Sequence, residues 1–354
     1  MSLTLIPATE AIARFDTFDT IIDARSEGEY AEDHLPGAQN WPTLHDEERK
    51  SIGTLYKQVN AFEAKKRGAA LAARNIATHI EQHVLDKPRE WAPLAYCWRG
   101  GKRSGSLSLV LDQIGFRVSL IEGGYKAFRA AMLQDMELCA AGLKFQVVCG
   151  TTGSGKTRLL QALRQEGAQV LDLEDLARHR SSVLGALPGI AQPTQKRFDT
   201  LVWAHIRQFD PERVVFVESE SKKVGNVSIH PALVEAMRAS ACSVVDLAVE
   251  ERVELLMEDY AYFTAHPEQF CARLDALTAQ RGKVVIEGWK ESVRRGEFRP
   301  VVRELLTEHY DPVYLQSMER NFTQFGNAAV LAPTDRSLES MQRVAQALVA
   351  ATVA

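Results

Sequence analysis

Residues 145–157 read FQVVCGTTGSGKT, and this stretch decides the fold of the second half of the chain. An apolar, strand-like run leads into the pattern G-x-x-x-x-G-K-[ST], which is matched at every position and is followed by a helix-like run. Glycines in such a loop let backbone N–H groups face phosphate oxygens, Lys156 can reach a terminal phosphate, and Thr157 can ligate magnesium. We therefore predict a phosphate-binding loop formed by Gly150, Thr151, Thr152, Gly153, Ser154, Gly155, Lys156 and Thr157.

The loop does not by itself identify the phosphate compound. ATP or GTP is the usual occupant, but a pyrophosphate group on another skeleton satisfies the same backbone amides. The sequence contains no NKxD-type tetrapeptide for reading guanine, which disfavours a GTPase. The loop also carries no nucleophile, so it binds phosphate without attacking it.

Other polar side chains follow the predicted strands of the same half. Glu218 directly follows the apolar run 214–217, and the residues after it combine acid, hydroxyl and cation. Because ligands bind at the carboxyl edge of parallel sheets, we predict a substrate-binding edge here. The alternative is a set of helix caps and surface charges. The candidate residues are Asp172, His179, Arg180, Gln195, Glu218, Ser219, Lys222 and Lys223.

A second loop, in the first half of the chain, carries a cysteine. It reads CWRGGKRS from Cys97 to Ser104, after an apolar run and before a helix-like run. Backbone N–H groups and a helix N-terminus stabilise an anionic sulfur, and nearby cations add to this effect. We predict that Cys97 is a nucleophile and that the surrounding loop binds substrate through Trp98, Arg99, Gly100, Gly101, Lys102 and Arg103.

The spacing from Cys97 to Arg103 also occurs in cysteine-dependent phosphatases. Those enzymes usually have histidine before the cysteine, where this chain has Tyr96, and they need a loop aspartate as general acid, which we do not find. Sulfur-group transfer is therefore favoured over phosphatase activity.

Composition narrows the class of protein. The 354 residues, 45% hydrophobic and 25% charged, suffice for two ordinary domains. A net charge of -4 argues against general adhesion to nucleic acid but allows a local basic surface. Five cysteines without paired spacing suggest neither a disulfide framework nor a metal site. Since no apolar run reaches 18 residues and no signal peptide is apparent, we expect a cytoplasmic protein without a membrane partner.

Alternating strand-like and helix-like runs predict α/β architecture. We expect one domain over residues 1–138 and a second over residues 139–354, with a short linker at residues 136–144. Apolar spacing of i, i+3, i+4 predicts a mostly helical lobe at about residues 250–317.

Four segments of the first half resemble a rhodanese domain in order and spacing. They are residues 21–30, residues 34–40, the cysteine loop and residues 121–125. The resemblance implies that Cys97 carries a transferred chalcogen as a persulfide-type adduct. The loop is longer than that of simple thiosulfate sulfurtransferases, which implies a wider cradle for a larger substrate.

Nearly end to end, the chain resembles the bacterial tRNA 2-selenouridine synthases, which also geranylate 2-thiouridine. The resemblance rests on both loops and on residues 171–174, 179–180, 192–196 and 218–223. It implies an N-terminal rhodanese-like domain followed by a P-loop NTPase-like parallel-sheet domain with a helical lobe.

The same resemblance implies a transferase that replaces sulfur by selenium in wobble 2-thiouridine of tRNA. Geranyl diphosphate would supply an alkyl group and selenophosphate the selenium, through an S-geranyl-2-thiouridine intermediate. No tightly bound cofactor is expected; magnesium and a selenophosphate-supplying partner enzyme are compatible with this chemistry. The alternatives are a nucleotide-dependent kinase or ATPase with a rhodanese sensor, and a binding module without catalysis.

Binding of tRNA needs stacking platforms and phosphate contacts. Trp98 is a candidate platform, although it could instead pack the loop against its surroundings. The candidate phosphate contacts are Lys65, Lys66, Arg67, Arg294, Arg295, Arg299 and Arg303, with solvated charged faces as the alternative.

Overall fold

The computed structural model describes residues 3–180, 185 and 189–353. The chain divides into two compact units. The first comprises Met1–Met136 and Lys196–Ala204, and the second comprises Glu137–Gln195 and His205–Ala354. Within the described residues, none of the helices combines the length and the apolar character that crossing a bilayer requires.

The chain starts with strands and helices in alternation. A 3₁₀ turn at Phe15–Thr17 separates the first helix from the second strand. In chain order the elements are β1 (Thr4–Ile6), α1 (Ala8–Ala13), β2 (Thr20–Asp23), α2 (Glu27–Glu32), β3 (Gln39–Asn40), α3 (Asp46–Gln58), α4 (Ala61–His83), β4 (Pro93–Tyr96), α5 (Lys102–Ile114), β5 (Ser119–Ile121) and α6 (Gly124–Gly142).

The five strands of the first unit form one parallel sheet in the order β1-β5-β4-β2-β3. The central strand β4 is buried along its whole length, as expected for a parallel strand covered by helices on both faces. Cys97 follows this strand directly and packs in a core cluster with Trp41, Trp91 and Leu107. Each such buried side chain contributes about 1.5–3 kcal/mol to folding. The cysteine is thus held by the most buried part of the unit.

The elements that follow along the chain begin with the strand that leads into the phosphate loop. They are β6 (Lys144–Cys149), α7 (Lys156–Gln165), β7 (Gln169–Leu171), α8 (Leu173–Ala177), α9 (Gln195–Ile206), β8 (Val214–Glu218), β9 (Lys223–Val224), β10 (Val227–Ser228), α10 (Pro231–Ala239) and β11 (Ala241–Val245).

A run of short helices comes next, before the last strand. These elements are α11 (Val249–Asp259), α12 (Ala261–Ala265), α13 (Pro267–Leu274), α14 (Thr278–Arg281), α15 (Lys283–Arg294), α16 (Phe298–Glu304), a π-helix (Leu305–Tyr310), α17 (Asp311–Asn321), β12 (Ala329–Leu331) and α18 (Leu338–Val353). The 3₁₀ turns Asp275–Leu277 and Phe325–Asn327 interrupt them.

The second unit has its own parallel sheet, in the order β12-β11-β6-β8-β7. Strands β9 and β10 form a separate antiparallel hairpin. We call the helices α11 to α17 and the π-helix the helical lobe; its core contains Phe263, Phe270, Trp289 and Val301.

The two parallel sheets confirm the predicted α/β fold class. The boundary between the two units, at Met136 and Glu137, falls within the predicted linker at residues 136–144. The segment is nevertheless not a loop, because residues 136–142 continue α6 and β6 begins at Lys144. The sequence there contains alanine, leucine and glutamate, which favour helix.

Candidate functional site

The Cys97 sulfur lies among hydrogen-bond donors at the start of α5. The Gly101 N–H donates to Cys97 Sγ at 3.2 Å, and the hydroxyl of the fully buried Ser104 donates at 3.0 Å. α5 begins at Lys102, so the N-terminal end of the helix dipole lies beside the sulfur. This arrangement stabilises negative charge on sulfur or on a group attached to it.

Two glycines allow the cysteine loop to pack closely on the turn before α6. Gly100 has φ +65°, and a Cβ there would lie 2.8 Å from the Ile121 carbonyl oxygen. Gly124 has φ +59°, and a Cβ there would overlap the Cys97 carbonyl oxygen. The Tyr125 N–H donates to that same oxygen at 2.8 Å. The loop is therefore held in place by close backbone contacts with this turn.

The three cations of the loop are in different environments. Arg99 and Lys102 are exposed and form no ion pair with any other described residue. Arg103 is half-buried and contacts the Glu29 carboxylate at 2.5 and 3.2 Å. Although burial acts in the opposite direction, the hydrogen bond and charge of Arg103 lower the pKa of Glu29 to about 2. An anion in the loop would thus meet two available cations and one that is already paired.

Tyr96 occupies the position where phosphatases have histidine, and it has a structural role. Its hydroxyl is fully buried and donates to the Asp23 carboxylate at 2.7 Å, and Asp23 also pairs with the buried Arg25 at 2.6 Å. Burial and the charge of Asp23 raise the pKa of Tyr96 well above its ordinary value. Tyr96 therefore braces the sheet beside the cysteine and does not replace the missing histidine.

Trp98 is half-buried and already has ring partners. It stacks on Tyr125 with ring centroids 5.5 Å apart, and the Lys196 ammonium lies 5.7 Å from its centroid. Lys196 belongs to the first unit, as does Glu32, with which it forms an ion pair. A nucleobase could stack on Trp98 only where Tyr125 and Lys196 leave its ring uncovered.

In the second unit, the phosphate loop joins β6 to α7. Gly150, Gly153 and Gly155 have positive φ angles, which residues with a Cβ atom rarely adopt. The Lys156 ammonium donates to the Gly150 carbonyl at 2.6 Å, within the loop itself. The Thr157 hydroxyl lies 3.4 Å from the Glu174 carboxylate. The loop thus has the backbone geometry that its sequence predicts for an anion cradle.

Two side chains of the helical lobe contact the phosphate loop. The Gly150 N–H donates to the Tyr314 hydroxyl at 2.7 Å, and Ser219 Oγ lies 2.7 Å from the same hydroxyl. Arg252 is buried and donates to the Thr152 carbonyl at 2.8 and 3.0 Å, while it pairs with Asp311 at 2.6 Å. Sequence reasoning missed both Tyr314 and Arg252.

Glu218 ends β8, and its side chain is buried. It is 2% exposed, and one of its carboxylate oxygens accepts from the Glu174 N–H at 2.7 Å. Burial, with the negative charges of Asp172, Glu220 and Glu174, raises the pKa of Glu218 well above its ordinary value. Glu218 therefore braces the start of α8 through its hydrogen bond to the Glu174 N–H. Asp172 is buried too; it accepts from the Asp175 N–H at 2.9 Å as the N-cap of α8, and burial raises its pKa.

The remaining candidate residues separate into two groups. Arg180 lines the cleft at the phosphate loop and contacts Asp259 at 3.5 Å. Ser219 lines the same cleft. Gln195 instead bonds both backbone groups of Ser228, which braces β10. His179, Lys222 and Lys223 are absent from the cleft lining; His179 is half-buried, and Lys222 and Lys223 are exposed at the β9–β10 hairpin.

The cleft at the phosphate loop has a volume of about 420 Å³ and mixes polar and apolar walls. An adjoining pocket inside the helical lobe is almost entirely apolar. Thr152, Leu256, Tyr260 and Tyr310 line both cavities, so the polar cleft and the apolar pocket adjoin at these residues. The apolar walls are completed by Phe263, Phe270, Phe298, Val302 and Leu305.

Comparisons with known proteins match this division of the chain. Residues 7–131 match the rhodanese-like domain family, and residues 143–281 match the family described as the AAA domain of tRNA 2-selenouridine synthase. A rhodanese-type unit and a P-loop unit in one chain define the class of protein.

Three similar proteins carry the name tRNA 2-selenouridine synthase. The one from Alcanivorax borkumensis is 30% identical over 85% of this chain and 90% of its own length. The one from Sulfurovum sp. is 31% identical over 87% of this chain and 92% of its own. The one from Nitrosomonas europaea is 35% identical over 69% of this chain and 64% of its own. The chain belongs to the tRNA 2-selenouridine synthase family.

Proposed function

We propose that this protein is a cytoplasmic tRNA-modifying transferase that replaces sulfur by selenium in wobble 2-thiouridine. The co-substrates are geranyl diphosphate and selenophosphate, and S-geranyl-2-thiouridine is the intermediate. The names of the relatives support the tRNA substrate and the selenium product. The two anion cradles, one with a thiol and one without, support two chemically different steps.

One observation carries the choice of geranyl diphosphate: the phosphate loop shares Thr152 with an apolar pocket inside the same unit. A diphosphate bound to Lys156 and the loop amides would extend an attached chain past Leu256 toward Phe298. Isoprenoid chains gain free energy by leaving water for such walls, whereas the ribose and base of a nucleotide need polar partners. The pocket therefore favours an isoprenyl diphosphate over ATP or GTP.

In the first step, the C2 sulfur of 2-thiouridine attacks C1 of the geranyl group. The C1–O bond breaks, and the diphosphate leaves with the electron pair. Lys156 and the loop N–H groups stabilise the negative charge that develops on the leaving oxygen. Oxygens of Thr157 and Glu174 suit magnesium, which would neutralise further diphosphate charge.

In the second step, selenium replaces the alkylated sulfur. Selenium of selenophosphate attacks C2 of the base, geranyl thiolate leaves and takes up a proton, and water then receives the phosphoryl group. The cradle around Cys97, with Arg99 and Lys102, holds selenophosphate.

The test uses anticodon stem-loop RNA containing 2-thiouridine, geranyl diphosphate and selenophosphate, with products identified by mass spectrometry. We expect Cys97→Ser to accumulate geranylated RNA and to lose selenation by about tenfold or more. Lys156→Ala should lose geranylation by about 100-fold, and selenation with it. Cys139→Ser serves as the matched cysteine control. Wild-type selenation in Cys97→Ser would contradict the assigned roles, and nucleotide turnover without RNA would favour the kinase or ATPase alternative.

A second test addresses the pocket. Phe298→Ala removes an apolar wall, so the KM for geranyl diphosphate should rise about tenfold. Inhibition by inorganic pyrophosphate should stay unchanged, because pyrophosphate has no chain to place in the pocket. If the binding of geranyl diphosphate and of pyrophosphate weakened equally, the variant would distort the phosphate loop, and the pocket would not be the site that binds the geranyl chain.

A further inference from the structure

The first unit carries an inserted pair of helices with an unusual charge. We call α3 and α4, residues 46–83, the basic hairpin. Between residues 50 and 74 it has one acidic residue, Glu63, in a chain whose net charge is -4. The same segment has six basic residues, all exposed: Lys50, Lys57, Lys65, Lys66, Arg67 and Arg74.

Most of these cations have no counter-ion. Lys66 pairs with Glu63 at 2.5 Å, whereas the other five form no ion pair with any residue in the described part of the chain. The arginines of the helical lobe differ, since each of the four predicted as RNA contacts is paired with a carboxylate. The pairs are Arg294–Glu268, Arg295–Glu297, Arg299–Glu254 and Arg303–Glu250. Of these two sets of predicted contacts, the unpaired hairpin cations can meet phosphates without first breaking an ion pair, whereas the four lobe arginines cannot.

The tip of the basic hairpin also exposes aromatic rings. Tyr56 is 54% exposed and Phe62 is 66% exposed, and Val59 between them is 74% exposed. The Lys66 ammonium lies 5.1 Å from the Phe62 ring centroid. Exposed rings beside cations are the combination that binds single-stranded nucleic acid, because bases stack on the rings while cations meet the backbone.

The hairpin is built as a projecting element. α3 has no buried residue, and it packs on α4, where Ile52 lies beside Gly68. Its outer faces are therefore not part of the core and are available to a partner. An apolar tip alone would suit another protein, but the surrounding uncompensated cations favour a polyanion.

We propose that the basic hairpin binds the tRNA substrate, with its cations on backbone phosphates and with Tyr56 and Phe62 stacked on bases. This inference rests on the proposed function, which makes tRNA the substrate. It places an RNA-binding surface on the unit that carries Cys97.

The experiment compares two quadruple variants that remove the same charge. The first is Lys57→Gln, Lys65→Gln, Arg67→Gln and Arg74→Gln; the control is Arg294→Gln, Arg295→Gln, Arg299→Gln and Arg303→Gln. The Kd for 2-thiouridine tRNA is measured from 50 to 200 mM salt. The hairpin variant should bind about 100-fold more weakly, with a salt slope reduced by about 4, because each of its four lost phosphate contacts removes about one unit. The control should change Kd by less than about threefold.

A double variant, Tyr56→Ala with Phe62→Ala, separates stacking from charge. It should raise Kd about tenfold and leave the salt slope unchanged. Unfolding midpoints of all variants should match the wild type, since the altered side chains are exposed.

The outcomes separate the inference from the proposed function. If the wild-type protein modifies tRNA but the hairpin variant keeps the wild-type Kd and slope, the inference is overturned and the proposed function stands. A hairpin variant that changes only self-association in sedimentation, with unchanged tRNA Kd, likewise overturns it. If the wild-type protein neither binds nor modifies tRNA, both proposals fall.

Discussion

At the scale of single residues, the Glu29–Arg103 pair sets the charge available at the cysteine loop. Glu29 also accepts hydrogen bonds from the Ser26 N–H and hydroxyl, at 3.2 and 3.1 Å. The carboxylate is thus part of the cap of α2 as well as the partner of Arg103. The Glu29 side chain therefore links the N-terminal cap of α2 to Arg103 of the cysteine loop.

This pair predicts a specific dependence of stability on pH. The pKa of Glu29 is about 2 in the folded protein against an ordinary 4.5, so the ionised carboxylate stabilises the fold above pH 4.5. That contribution, at most about 3 kcal/mol, is lost as the pH falls from 4.5 toward 2. Glu29→Gln should therefore be less stable than wild type at pH 6 and nearly equal to it at low pH, measured by urea unfolding. Glu63→Gln, in an exposed pair, is the control; a difference that does not shrink at low pH would contradict the assignment.

Sequence reasoning located some site residues and could not locate others. Cys97 and Lys156 lie in local motifs whose chemistry depends on neighbours a few positions away, so spacing predicts them. Tyr314 contacts Gly150 across 164 positions, and Arg252 contacts Thr152 across 100 positions. Such contacts depend on how the helices pack, which no local pattern records. Glu218 was placed at the correct edge, but its burial against Glu174 could not be read from sequence.

Among the secondary-structure elements too, those with a clear local sequence pattern were predicted and others were not. The apolar periods of α4, α7 and β8 predict these elements within one or two residues. Helix α3 was not predicted from the sequence, and none of its residues is buried. The lobe is mostly helical, as predicted, but its helices are short and are interrupted by a 3₁₀ turn at Asp275–Leu277 and a π-helix at Leu305–Tyr310.

The cysteine loop offers a matched pair of glycine substitutions. Gly100→Ala places a Cβ 2.8 Å from the Ile121 carbonyl at a positive φ, which should cost about 2 to 4 kcal/mol in unfolding free energy. Gly101→Ala meets no described atom within 4 Å and has an extended backbone, so its cost should be about 0.5 kcal/mol or less. Chemical denaturation of both variants measures the difference. Equal costs would mean that the loop is not held by this close backbone approach.

At the scale of the whole molecule, each unit has its own sheet, core and anion cradle. Within the second unit, the sheet supplies the phosphate loop and the helical lobe supplies the apolar pocket. Arg252 joins the two, since it donates to Thr152 in the loop and pairs with Asp311 at the start of α17. Breaking the Arg252–Asp311 pair should therefore change both the conformation of the phosphate loop and the shape of the apolar pocket.

Arg252→Met tests that coupling. The variant leaves Asp311 and the Thr152 carbonyl without their buried partner, so unfolding free energy should fall by about 3–5 kcal/mol. Arg299→Gln, which breaks the exposed pair with Glu254, should leave the unfolding midpoint nearly unchanged. Because Arg252 joins the phosphate loop to α17 of the helical lobe, Arg252→Met should also weaken the binding of both pyrophosphate and geranyl diphosphate, whereas Phe298→Ala weakens only that of the latter. If Arg252→Met kept wild-type affinity for pyrophosphate in calorimetry, the helical lobe would not control the phosphate loop, and the two halves of the cavity would act independently.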